Sequence, residues 1–211
     1  GRVNESLQSV DRMRRRFDDA VTNLGELEID NTLTNQEVLE VIQRGELLTR
    51  LANQVKTEAL KLGEDAGLIM IQIDSLESGV MNTLNLVLKD HLPVRKFRTT
   101  TKAINEISIL SYDELNAIDF LGSVLFKLPL DDISVSKGYR VLARLPGLPE
   151  NLHDQIIHKF KTLPKLLTAS PEKLFEVEGI GRSRAQQLRD YFDTLLKNIC
   201  FGIEEIGSVG H

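Results

Sequence analysis

The stretch VEGIGRSRAQQL, residues 177–188, sets two glycines around one isoleucine and follows them with Arg182, Ser183 and Arg184. This is chemistry suited to holding an anion. Glycine leaves backbone N–H groups uncovered and accepts positive φ. The helix formers after Gly181 predict a helix whose first N–H groups lack intrahelical acceptors. Such an end attracts phosphate through its amides and its dipole together, and the two guanidiniums and a hydroxyl add donors. A lone Gly-x-Gly is most often only a turn, so its setting must carry the argument.

The setting is a repeat. LARLPGLPENLHDQIIHKF (142–160) superimposes without a gap on LFEVEGIGRSRAQQLRDYF (174–192), offset by 32 residues. Leu142 matches Leu174, Gly147 matches Gly179, Leu148 matches Ile180 and Phe160 matches Phe192. Each copy predicts a short helix, a glycine turn and a longer helix. In the second copy Ser170 is a helix cap and Pro171 suits the first helical position. Ala185, Leu188, Phe192, Leu195 and Ile199 supply the buried stripe of its long helix, and TLPKLL (162–167) predicts a helix joining the copies. The first copy departs from the pattern: Pro149 stands in place of Gly181 and has no N–H to donate, and His153 replaces Ala185. The candidate contacts are therefore Gly179, Ile180, Gly181, Arg182, Ser183 and Arg184, with Gly147, Leu148 and Asn151 as a weaker, partly structural set. These contacts would hold a phosphate through backbone amides and the positive helix end.

Everything upstream reads as helix. Val3, Leu7, Val10, Phe17, Val21 and Leu24 form one apolar seam over 3–24, serving either its own domain or another subunit. In 33–63, Thr34 and Glu37 make a capping box, and Val38, Ile42, Leu48, Leu51, Val55 and Leu62 share a side before Gly63. Residues 68–93 predict a third helix ended by Pro93, although LIMIQI (68–73) also suits a strand. The basic cluster Arg95, Lys96, Arg98 and Lys102 reads as a solvated linker or as a second phosphate contact. The expected domains are 1–130, a helical linker and oligomerisation domain, and 131–200, the repeat, followed by a tail at 201–211.

Composition agrees with an all-α globular protein: 211 residues, 41% hydrophobic, 27% charged, 5% aromatic and no Trp. The net charge of −5 argues against a nucleic-acid binder taken whole. Residues 131–200, however, carry 11 Lys and Arg against 9 Asp and Glu, so the mild basic excess falls in the repeat. Cys200 is the only cysteine, which excludes an internal disulfide and fits a reducing compartment. No apolar run is long enough to span a bilayer. His91, His153, His158 and His211 lack metal-ligand spacing, so no metal site is expected. Asp190 and Asp193 read as a solvated face rather than as catalytic groups over a flipped base, and no catalytic residue is assigned.

The duplicated frame L-x-x-V-x-G-I-G-x-x-x-A-x-x-L resembles a tandem helix-hairpin-helix domain of the RuvA-domain-2-like type. LGELEIDNTLTNQEVLEVIQRGELLTRLANQV (24–55) and SVSKGYRVLARLPGLP (134–149) resemble the linker and hairpin entry of the bacterial DNA integrity scanning (DisA) family. That resemblance implies an all-α fold, branched or junction DNA as a sequence-independent partner, a homo-oligomer (an octamer in the family) and a cytoplasmic, nucleoid-associated place. It also implies an N-terminal diadenylate cyclase that condenses two ATP into cyclic di-AMP with a divalent metal. The cyclase's Asp-Gly-Ala and Arg-His-Arg signatures are missing from these residues, and EDAGL (64–68) has the wrong order. The chain is therefore expected to start just after the cyclase, to be no enzyme itself and to need no cofactor, apart from a monovalent cation that some relatives hold at the hairpin. The alternative reading is a protein-interaction module with no DNA contact.

Overall fold

The computed structural model describes residues 1–63, 66–94 and 99–208, with side chains as far as residue 198. Arg95, Lys96 and Arg98, the acidic pair of EDAGL, the side chains of Ile199 and Cys200, and His211 lie outside the described residues. The described residues form eleven α-helices and no strand beyond one isolated antiparallel bridge between Thr34 and Ile133.

The chain divides into two compact units: residues 1–25 with 33–134, and residues 26–32 with the chain from Val135 onward. The first unit is a helical bundle. Helix α1 (Arg2–Asp30) begins there and continues past the seam that ended at Leu24 in the sequence reading. Helix α2 (Asn35–Leu60) opens on the expected capping box. Thr34 Oγ1 accepts from the Glu37 N–H at 3.3 Å, and Glu37 Oε1 accepts from the Thr34 N–H at 3.1 Å. Val38, Ile42, Leu48 and Val55 are buried as the spacing predicts, whereas Leu62 lies beyond the helix and is exposed. Helix α3 (Ala66–His91) includes LIMIQI, so the strand alternative falls. Beta-forming composition over six residues yields here to a 26-residue helix that packs along α2. Helices α4 (Thr100–Ser108), α5 (Tyr112–Asn116) and α6 (Ile118–Leu125) complete the bundle around Leu39, Leu48, Leu88, Leu115, Leu121 and Leu125. Arg50 donates to the carbonyls of Ile107 (3.1 Å) and Leu110 (2.7 Å), tying α2 to the chain at the end of α4. The α1 seam buries Val10 and Phe17, and a groove of about 820 Å³ runs between α1 and α3 beside them.

The second unit holds the repeat in helices α7 (Tyr139–Ala143), α8 (Glu150–Phe160), α9 (Leu163–Leu167), α10 (Pro171–Phe175) and α11 (Arg182–Ser208). One apolar core serves both copies, with Leu142, Ile156, Leu163, Leu174, Leu188 and Phe192 fully buried in it. Leu195 is only partly buried. Thr162 and Ser170 cap α9 and α10, each accepting from a backbone N–H three residues on, and each helix has proline in its first turn. Tyr191 ties α11 to α7 by donating its hydroxyl to the Val141 carbonyl at 2.9 Å, and burial pushes its phenol pKa up. The end of α1 joins this unit. Ile29 packs on the core, and Glu28 pairs with Arg140, both carboxylate and guanidinium being buried.

Candidate nucleic-acid interface

The two copies coincide in structure as they do in sequence. Helices α7 and α10 begin and end at equivalent residues, as do the first residues of α8 and α11. Matching backbone bonds close the short helices: Leu142 donates to Gly138 and Leu174 to Ser170, and Leu145 donates to Leu142 and Val177 to Leu174. The turns share their unusual residue, with φ of +81° at Gly147 and +88° at Gly179. Sequence similarity alone would not guarantee this, because a one-residue shift in a turn re-aims the helix that follows.

Within the second turn the residues singled out by sequence take different roles. Gly179 is required by its conformation, since an L residue at that φ is strained, and a Cβ there would lie 2.8 Å from Leu152 Cδ2 on α8. Ile180 is 5% exposed, and its N–H already donates to the Val177 carbonyl at 3.1 Å. It belongs to the core and offers neither side chain nor amide. Gly181 is different. Its φ is not positive, so the freedom both glycines offer is used only at Gly179, and a Cβ added to it would meet nothing within 4 Å. Neither positive φ nor packing among the described residues demands glycine there. Its carbonyl starts α11 by accepting from the Ala185 N–H at 2.9 Å. The N–H groups of Arg182, Ser183 and Arg184 form the first turn of α11 and so have no intrahelical acceptors. Gly181, Arg182 and Ser183 are exposed and Arg184 is half-buried.

The first turn is the poorer copy. Pro149 occupies the position of Gly181 with φ −61° and ψ 143°, and no side chain caps α8. Glu150 then puts a carboxylate in the first turn of α8, where α11 has no acidic residue. A negative side chain at a helix N-terminus competes with an external anion for the same field. Leu148 is buried like Ile180, while Gly147 and Asn151 are exposed.

The surrounding charges narrow the set of free cations. Arg189, which sequence reasoning did not single out, donates to the carbonyls of Ala169 (2.5 Å) and Leu167 (2.6 Å) and pairs with Asp193 at 2.9 Å. It fixes the α9–α10 connection to α11. Asp193 is thereby occupied, and Asp190 accepts from Gln186 at 2.9 Å. Lys159 pairs with Glu176 at 2.6 Å and Lys173 approaches the same carboxylate at 3.7 Å. The hydrogen bond from Lys159 holds the Glu176 carboxyl below the usual carboxylate pKa. Among the described residues Arg182 makes no ion pair; its guanidinium lies over the Phe175 ring, 5.5 Å from the centroid. Among the described residues no cluster of three metal-ligating side chains occurs, and no helix is long and apolar enough to cross a membrane.

Fold and turn geometry together define the class: an all-α protein that joins a helical bundle to a duplicated glycine-hairpin unit. Residues 1–125 match the model of the DisA bacterial checkpoint controller linker region, and the chain belongs to that family. Proteins named DNA integrity scanning protein DisA are similar over nearly the whole chain, repeat included. That of Kineococcus radiotolerans is 32% identical over 204 residues, covering 94% of this chain and 56% of the relative. That of Streptomyces griseus is 32% identical over 207 residues (93% and 54%), and that of Frankia casuarinae 32% over 202 (93% and 56%). The chain thus spans about half the length of the curated relatives it matches.

Proposed function

We propose that the repeat unit binds the sugar-phosphate backbone of DNA without reading sequence, and that the second hairpin is its principal contact. The observation that carries this is Gly181: a glycine that neither backbone conformation nor packing requires, placed ahead of three amides without intrahelical acceptors and beside Arg182 and Arg184. A phosphate oxygen can approach those amides past residue 181, which has no side chain and whose added Cβ would meet nothing within 4 Å. The name shared by the relatives, DNA integrity scanning protein, supports the same reading.

With one strong hairpin, one weak one and few uncommitted cations, each repeat unit neutralises about two to four phosphates, giving a log–log salt slope of roughly −2 to −4. Such a contact is weak alone. Several copies on an oligomeric scaffold would gain by effective concentration, on the order of 10²- to 10⁴-fold, when DNA arms can be engaged together. Selection of junctions over linear duplex then comes from geometry rather than bases. In this reading the bundle unit supplies the scaffold, and the whole protein couples DNA sensing to a diadenylate cyclase that lies outside these residues and uses ATP and a divalent metal. A monovalent cation, if bound, would be held by carbonyls of the second hairpin and would add positive charge for the phosphate.

The deciding experiment is fluorescence anisotropy with a labelled four-way junction and a linear duplex of equal length, across a salt series. The sharpest variant is Gly181→Pro. It deletes one N–H at a place where the first repeat already holds Pro149, so the fold is kept. Loss of a charge-assisted hydrogen bond of about 1.5–3 kcal/mol predicts roughly 10- to 150-fold weaker binding. Unaltered affinity, or no binding of any DNA by the folded chain at low salt, refutes the reading and favours a protein-interaction module.

A further inference from the structure

The second hairpin carries one more device that the first lacks. Phe175, the last residue of α10, is 45% exposed, an unusual position for a large aromatic side chain. The Arg182 guanidinium lies over its ring at 5.5 Å from the centroid, within cation–π range, and makes no ion pair with a carboxylate among the described residues. The equivalents in the first copy are Ala143 and Glu150: no ring, and the opposite charge. The pair is therefore confined to the hairpin whose backbone is open to an anion.

Resting on the phosphate-binding reading above, we infer that Phe175 is a positioning residue for Arg182. The ring restrains a long side chain that would otherwise sample many rotamers in water, and so presents its guanidinium at the mouth of the α11 N-terminus before DNA arrives. A carboxylate partner would restrain Arg182 equally well but would neutralise it and repel the phosphate. An aromatic face holds the cation while leaving its charge and several of its donors for the ligand. Phe175 is neither a member of the repeat unit's apolar core nor one of the partly buried side chains packed on it.

The test is a double-mutant cycle on the 211-residue chain, read by anisotropy with a labelled four-way junction. Phe175→Leu keeps apolar bulk without a π face, and an exposed cation–π contact predicts about two- to fivefold weaker binding. The salt slope should not change, because Arg182 still carries its charge. Phe175→Trp should bind as well as the parent chain or better. Arg182→Ala should weaken binding and lower the slope by about one. In the Arg182→Ala background, Phe175→Leu should have no further effect, whereas a merely structural role would cost the same in both backgrounds. Parent-like binding by Phe175→Leu, or equal losses with and without Arg182, overturns the inference while leaving the interface standing. If Arg182→Ala binds like the parent chain, interface and inference fail together.

Discussion

The two glycines of one turn can be separated by experiment. Alanine at Gly179 must hold φ near +88°, which costs roughly 1–2 kcal/mol for an L residue. Its Cβ also arrives 2.8 Å from Leu152 Cδ2. Leu152 is itself buried, so relief requires repacking at about 1–3 kcal/mol. Gly179→Ala therefore destabilises the repeat unit by about 2–5 kcal/mol in total. Gly181→Ala meets neither problem; its Cβ enters open space, and losing glycine at a helix start costs about 1 kcal/mol or less. The same Cβ stands where phosphate approaches, so Gly181→Ala weakens DNA binding by about tenfold or more, the loss expected for a strained or lost amide contact. Amide hydrogen exchange read by mass spectrometry suits the first half, because peptides from 139–198 report this unit alone. Exchange there should speed by about 30- to 4,000-fold for Gly179→Ala, as about 2–5 kcal/mol requires, and by no more than a few fold for Gly181→Ala. Anisotropy on junction DNA supplies the second half. Equal loosening by both variants, or full DNA affinity in Gly181→Ala, refutes the division of labour.

Arg189→Ala removes both donors from the Leu167 and Ala169 carbonyls and should cost the repeat unit about 1–3 kcal/mol in urea unfolding, with Arg189→Lys restoring only part because one ammonium cannot reproduce the fork. Arg140→Met removes the buried guanidinium that pairs with Glu28 and should cost about 3–5 kcal/mol, while Arg140→Met with Glu28→Leu should recover most of that loss in thermal melts. Glu176 titrates below its ordinary value because the folded state favours its carboxylate. The Lys159 contact is thus fully stabilising at neutral pH and is lost as pH falls through the lowered pKa, and carboxyl NMR should show Lys159→Met returning the midpoint toward 4.5.

Much of this was legible from residue spacing because the signals are local. The capping box at Thr34, the proline starts of α9 and α10 and the 32-residue duplication are all short-range patterns that a chain must satisfy wherever it folds. The split between Gly179 and Gly181 was not legible, since Gly-x-Gly looks alike whether a glycine serves φ, packing or access. The positive φ at residue 179, the position of Leu152 and the empty space around residue 181 separate them. Ile180 was placed among the contacts for the same reason; its amide bond to Val177 is a property of the turn, not of the residue type. Arg189 lies on the polar side of its helix, where an arginine ordinarily faces water, and only the ends of α9 and α10 reveal why it is held. The Glu28–Arg140 pair joins residues 112 apart in sequence and leaves no periodic trace.

That last pair also decides how the chain can be cut. The hairpin-bearing half is not a contiguous stretch, because seven residues near position 30 complete it from far upstream. A fragment cloned from the start of the repeat onward would enclose a guanidinium with its counter-ion amputated and would bare the patch that Ile29 covers. Such a piece should be poorly soluble or molten, and silence from it in a DNA assay would report on the scissors, not on the hairpin.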